Sequence, residues 1–129
     1  MCADREVSRA LTMAVDRRRA VSTVFDSSTR LVRGPYTHQL STYDASIPSI
    51  PYAPDSAAAI LQRRGWVMGS DGIRHKGAQK LQWSILVPGT STERQQLSVL
   101  LQDMYRKIGA QMDIERVDFA TMNGRVAAF

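Results

Sequence analysis

Apolar residues recur at helical spacing from the start of the chain. Val7, Ala10, Leu11 and Ala14 fall on one face behind Asp4, a residue suited to capping, and predict a helix through about Val15. Asp16 supplies a second cap and opens a short helix through Ala20, Val21, Val24 and Phe25. Arg17, Arg18 and Arg19 occupy its first turn, where cations oppose the helix dipole, and nothing in the local pattern accounts for them. From about Asp26 to Ala53 no period survives. Gly34-Pro35, Pro48, Pro51 and many serines and threonines predict a long irregular segment. A connection of that length is uncommon inside a compact domain. Tyr36, Tyr43, Ile47, Ile50 and Tyr52 are expected to pin it in an ordered form.

Pro54 suits the first turn of a third helix, which carries Ala58, Ile60 and Leu61 and stops at Gly65. Trp66 is expected to pack back on it. After a turn at Gly69–Gly72, Ile73–Lys76 and Lys80–Val87 read as a hairpin around Gly77-Ala78. Leu81, Trp83, Ile85 and Val87 alternate with Gln82, Ser84 and Leu86 in its second arm. Pro88-Gly89 breaks that strand, and Thr90 with Glu93 fits a capping box. The helix that follows carries Leu97, Leu100, Leu101, Met104 and Ile108 on one face and stops at Gly109. Ala110, Met112 and Ile114 then alternate with Gln111, Asp113 and Glu115 as a strand. Strand, helix and strand in this order make a βαβ unit, whose strands run parallel with a right-handed crossover. Asp118 can cap a last short helix through Met122 and Val126. The fold class is therefore α/β: a βαβ unit with a preceding hairpin arm and flanking helices, in one domain over residues 1–129.

Composition narrows the function classes. No stretch approaches the ~20 apolar residues of a membrane-spanning helix. Met1-Cys2-Ala3-Asp4-Arg5-Glu6 carries charge where a secretion signal has its apolar run, so no signal is expected there. Cys2 is the only cysteine, which rules out an internal disulfide, and a lipid anchor on it would need an apolar signal before it. The net charge of +5 raises a nucleic-acid hypothesis. Arg17–Arg19 is the one run of three, however, and Arg63-Arg64 and Arg106-Lys107 sit at helix ends, where the dipole favours cations.

Catalytic chemistry finds no support. His38 and His75 are the only histidines, and Arg74 and Lys76 beside His75 disfavour a metal, which needs three or four ligands. No nucleophile elbow occurs, and Cys2 lacks a fixed base. Gly69-Ser70-Asp71-Gly72 is too short and acidic for a phosphate loop. Asp113 and Glu115 share a strand face with no partner for acid–base work. No metal or other cofactor is expected. Trp66 and Trp83 sit where tryptophans usually serve the core. The candidate ligand-binding residues are Arg33, Tyr36 and His38, because irregular segments disproportionately carry function.

Several of these pieces, in this order, resemble the family 5 extracellular solute-binding proteins of ABC transporters, the oligopeptide, dipeptide and nickel-binding type. Asp4-Arg5-Glu6-Val7-Ser8-Arg9-Ala10-Leu11 with Ala14-Val15-Asp16-Arg17 is similar to the family's paired-helix motif D-x-x-V-R-x-A…A-(hydrophobic)-D-R. Arg33-Gly34-Pro35-Tyr36 and Tyr43-Asp44 resemble its G-P-(hydrophobic)-P…Y-D segment. Tyr52-Ala53-Pro54-Asp55 with Ala58, Ile60, Leu61, Gly65 and Trp66 resembles Y-D-P-x-x-A-x-x-L-L-x-x-A-G-W. The strand ending at Val87, the helix containing Glu93, Lys107-Ile108-Gly109 and Asp118-Phe119 follow in register. Ala53 replaces a capping aspartate, Thr37 a common proline and Ser8 a frequent arginine.

The resemblance implies part of the second lobe of a two-lobe periplasmic-binding-protein-like fold, with the long loop near the interlobe region. It also implies that the next family segment, a strand leading to ligand-holding residues, would begin after Phe129. The expected role is capture of a peptide or other small solute and delivery to an ABC permease in the membrane, in the periplasm or at the cell surface. This piece alone is expected to bind weakly or not at all. An unpaired sheet edge is expected to invite dimerisation. The alternative, from charge alone, is a small basic α/β module that binds nucleic acid. It would need aromatics exposed on a sheet face, and Trp83 is the only Trp, Tyr or Phe in the expected strands. The solute-binding reading has no nucleic-acid partner.

Overall fold

The computed structural model describes residues 4–25, 29–32, 39–41, 43–44 and 46–127. Asp4 caps α1 (Arg5–Met13), its carboxylate accepting from the amides of Glu6 at 3.0 Å and Val7 at 3.4 Å. The same carboxylate receives Arg64 Nε at 2.8 Å and Nη2 at 2.6 Å, so one side chain caps a helix and ties it to the end of another. Asp16 caps α2 (Arg17–Val24) through the Arg19 amide. Phe25 is already extended, so the helix ends one residue before the expected span.

Helix α3 (Pro54–Arg63) starts without a side-chain cap, as the alanine at position 53 requires; Pro54 sets the first turn instead. The Ala53 amide donates to Met13 O at 2.9 Å, which anchors this start to the end of α1. Val7, Ala10, Met13 and Ala14 pack against Ala57, Ile60, Leu61 and Trp66, the largest part of the core. Trp66 is buried as expected. In the long segment Tyr43 and Ile50 are half-buried, whereas Ile47 and Tyr52 are each 48% exposed and do not pin it as expected. Tyr36 lies outside the described residues.

The hairpin arm departs from the expected pattern. β1 (Val67–Met68), β2 (Arg74–Lys76) and β3 (Gln79–Lys80) form a small antiparallel sheet, and β1 is too short to leave a periodic signal. The expected single arm Lys80–Val87 is two strands in two sheets. Leu81 is the switch: its amide donates to Arg74 O at 2.8 Å, and its carbonyl accepts from Gln111 N at 2.9 Å. It is fully buried, so both sheets close over one side chain.

The βαβ unit is present. β4 (Gln82–Pro88) runs parallel to β5 (Gln111–Val117), pairing Trp83 with Met112 and Ile85 with Ile114, and α4 (Thr92–Lys107) connects them. The strand reaches Pro88 instead of breaking before it. Gly89 N still pairs with Val117 O at 3.0 Å, which moves the helix start along by one residue. Ser91, not Thr90, is therefore the cap, accepting from Arg94 N at 3.4 Å. Trp83 meets Tyr105 edge-on, with centroids 4.9 Å apart. α5 (Phe119–Ala127) starts at Asp118, which accepts from Thr121 N at 2.9 Å. Glu115 pairs with Arg125 at 2.6 Å, while Asp113 accepts from the amide groups of Gln82 and Gln111.

One cation holds the helices, the hairpin and the βαβ unit together. Arg74 is 6% exposed. Its Nε donates to Ile108 O at 2.8 Å, and its Nη1 to Trp66 O at 2.7 Å and Gln62 Oε1 at 3.0 Å. Burial pushes its pKa down, yet a guanidinium keeps its charge in proteins. Arg74→Met would leave those carbonyls buried without a donor. It is expected to cost about 3 kcal/mol, read as a lower urea midpoint with an unchanged slope.

Candidate solute-binding cleft

A cleft of about 1000 Å³ opens beside the first turn of α2. Its described lining comes from three places: Val15–Arg19 and Ser22 around the start of α2, Leu31, Val32 and Tyr43 from the segment that follows, and Ser49–Tyr52 ahead of α3. Asp16 positions the helix end, and Arg17 Nη2 donates to Ile50 O, so the strap before α3 is fastened to α2 by the first of the three arginines. Arg18 and Arg19 are exposed at the rim. The described lining therefore combines guanidinium groups and hydroxyls with aliphatic and tyrosine surface, a mixture suited to non-covalent binding of a small polar molecule. A smaller cleft of about 500 Å³ lies where Thr23 of α2 meets Gln95 and Val99 of α4.

Of the residues singled out in the sequence, Arg33, Tyr36 and His38 lie outside the described residues, as does Cys2. Leu31 and Val32, just before that stretch, line the cleft. Sequence reasoning missed Ile50 and Tyr52 as cleft residues and left the arginine run unexplained. The signal that could have found them was that run, because a local rule broken without evident compensation often marks a functional site. Among the described residues no group of three His, Cys, Asp or Glu is placed to hold a metal ion. No helix among them is long and apolar enough to cross a membrane.

The whole chain, residues 1–129, matches the family model for bacterial extracellular solute-binding proteins, family 5 Middle. The chain belongs to this family. Among curated relatives it is 28% identical over 123 residues to Protein XP55 of Streptomyces lividans, covering 95% of this chain and 22% of that protein. It is 27% identical over 122 residues to the oligopeptide-binding protein AppA of Bacillus subtilis, covering 92% of this chain and 22% of AppA. The solved structure of AppA in complex with a nonapeptide superposes with a TM-score of 0.87 at 26% identity, over 95% of this chain and 25% of that one. NikA from Brucella suis in complex with Fe(III)-EDTA gives 0.85 at 22% identity, over 95% of this chain and 25% of that one, a likeness of fold alone. The mixed α/β fold is thus that of part of these binding proteins. The family match gives the nucleic-acid alternative no support, and Trp83 is half-buried against Tyr105 instead of standing free on a sheet face.

His75, the histidine among the described residues, is engaged with a carboxylate. Its Nε2 lies 3.0 Å from Asp71 Oδ1, and Lys80 Nζ donates to Asp71 Oδ2 at 2.8 Å. Lys80, and after it His75, hold the Asp71 carboxyl well below the usual carboxylate range. A depressed carboxyl contributes stability above its unfolded value of 3.8 and loses it as pH falls toward the depressed one. Asp71→Asn is therefore expected to lower the urea midpoint at neutral pH, with the gap to the parent narrowing below about pH 4. A gap that stays constant down to acid pH would show that these charges contribute nothing.

Proposed function

We propose that the chain forms part of the second lobe of an ABC-transporter solute-binding protein whose solute is a peptide or a similar small molecule. The observation that carries this reading is the family 5 match over residues 1–129, together with the fold shared with AppA, whose structure holds a nonapeptide. The chain spans 22% of the length of XP55 and of AppA, so the complete activity belongs to a larger two-lobed protein in this reading. Such a protein works by hinge closure around the solute and then docks on a membrane permease. That role is non-covalent, needs no cofactor and includes no nucleic-acid partner. It places the protein outside the cytoplasm, in the periplasm or at the cell surface. In this reading Arg33, Tyr36 and His38 contribute to holding the solute.

The test is thermal unfolding of the protein expressed from its complete reading frame, with mixed peptides in one arm and nickel in the other. Ligand at a hundred times its Kd stabilises by about 2.7 kcal/mol, so a rise in Tm with peptides is expected and is readily seen. The 129-residue chain alone is expected to show little or none. A cooperative melt that neither arm shifts would overturn the reading.

The β4–β5 sheet has two strands and no further strand neighbour among the described residues. Open edges template pairing with another chain. The isolated 129-residue chain is therefore expected to self-associate in sedimentation at high concentration. A clean monomer there would show that its edges are protected.

A further inference from the structure

We propose that the cleft beside α2 binds a carboxylate group of the solute, with Arg18 and Arg19 as its counter-charges; the inference rests on the solute-binding reading above. It begins from three consecutive arginines in the first turn of a helix, where the dipole disfavours each of them. Arg17 has a structural task, since its guanidinium holds Ile50 O. Arg18 and Arg19 have none of that kind. Both are exposed, and none of the ion pairs among the described residues includes either one. Asp16, the one acid among the described lining residues, is engaged in capping through the Arg19 amide. Among the described residues three guanidinium groups therefore line the cleft against a single carboxylate.

The rest of the described lining decides the class of anion. Leu31, Val32, Tyr43 and Tyr52 offer aliphatic and aromatic surface, which a bare inorganic anion cannot use. A carboxylate attached to an organic body uses both kinds of surface. The guanidinium fork matches its two oxygens, and the body covers apolar lining. The cleft volume of about 1000 Å³ leaves room for several residues of a peptide. The carboxylate can be the peptide's C-terminus or an acidic side chain, and the two are separable by experiment.

The experiment is calorimetric titration of the protein from its complete reading frame with tri-alanine, tri-alanine amide and amidated Ala-Glu-Ala. The parent protein is expected to bind at least one carboxylate-bearing peptide about tenfold more tightly than tri-alanine amide. Which one does so locates the carboxylate. The double variant Arg18→Gln/Arg19→Gln is expected to erase that preference, bringing the ratio of carboxylate to amide affinity down to about one. Because both side chains are exposed and oppose the dipole, the variant should melt at or slightly above the parent temperature. Equal binding of all three peptides by the parent protein, or a preference that survives in the double variant, overturns the carboxylate site and leaves the solute-binding reading standing. No binding of any of the three removes the inference, and with an unshifted melt it removes the reading as well. The carboxylate-to-amide ratio of the parent protein decides the matter even if the variant fails to fold.

Discussion

Arg74 is a guanidinium with almost no water around it, and no carboxylate among the described residues bonds to it. Its partners are the backbone carbonyls of Trp66 and Ile108 and the amide oxygen of Gln62. Trp66 follows the end of α3, and Ile108 is the cap of α4, so the cation sits where two helices present the negative ends of their dipoles. This is a way to bury a charge without an ion pair: the carbonyls at a helix end need donors in any case, and one planar group supplies several. The backbone of the same residue adds to the arrangement. Arg74 N donates to Gly109 O at 2.7 Å, and Arg74 O accepts from Leu81.

Everything downstream depends on that junction. Gly109 has φ +76°, and a Cβ there would come within 2.6 Å of Met68 Cε and 2.9 Å of Arg74 Cγ. The glycine that stops α4 is thus also the space into which β1 and β2 fit. From this point Ala110 leads straight into β5, and Leu81, held by Arg74, leads into β4. The register of the parallel pair, Gln82 opposite Gln111, follows from the two chains leaving the same fixed place. The helical pair α1–α3 joins through Trp66, whose ring lies in the core and whose carbonyl holds Arg74.

Much of this was legible in the sequence, and the reasons for the rest are physical. The caps at Asp4, Asp16 and Asp118 were readable because a capping bond is local, made within three residues. The βαβ unit was readable because α4 is sixteen residues long and β5 alternates cleanly. The hairpin arm was misread at Leu81 because alternation reports burial and not partners, and a residue buried between two sheets alternates like any other. The Thr90 cap was off by one because the end of a strand is set by its neighbour, here Val117, which lies far along the chain. Arg74 gave no sign at all. A cation in a short polar strand looks like a solvated residue until the helix ends that surround it are placed. In the cleft, the arginine run was visible from the start, but its partner Ile50 was not, since thirty-three positions separate Arg17 from it.

The same frame recurs in other proteins that were solved with unlike ligands. α1, α3 and the βαβ unit carry the shared core, and they superpose on AppA, solved with a nonapeptide, and on NikA, solved with Fe(III)-EDTA, about equally well. A frame common to two such unlike molecules does not choose between them. In the proposed solute-binding role, choice therefore falls outside the shared core, on the described residues between α2 and α3 and on the helix turn to which Ile50 is strapped. The strap uses backbone at Ile50 and one arginine, so the side chains around it can change without loosening it. The apolar residues Leu31 and Val32, the exposed Tyr52 and the rim arginines are side chains of that kind. In that proposed role, changes of specificity at this lining come at little cost to the junction around Arg74, because the two share no hydrogen bond among those described.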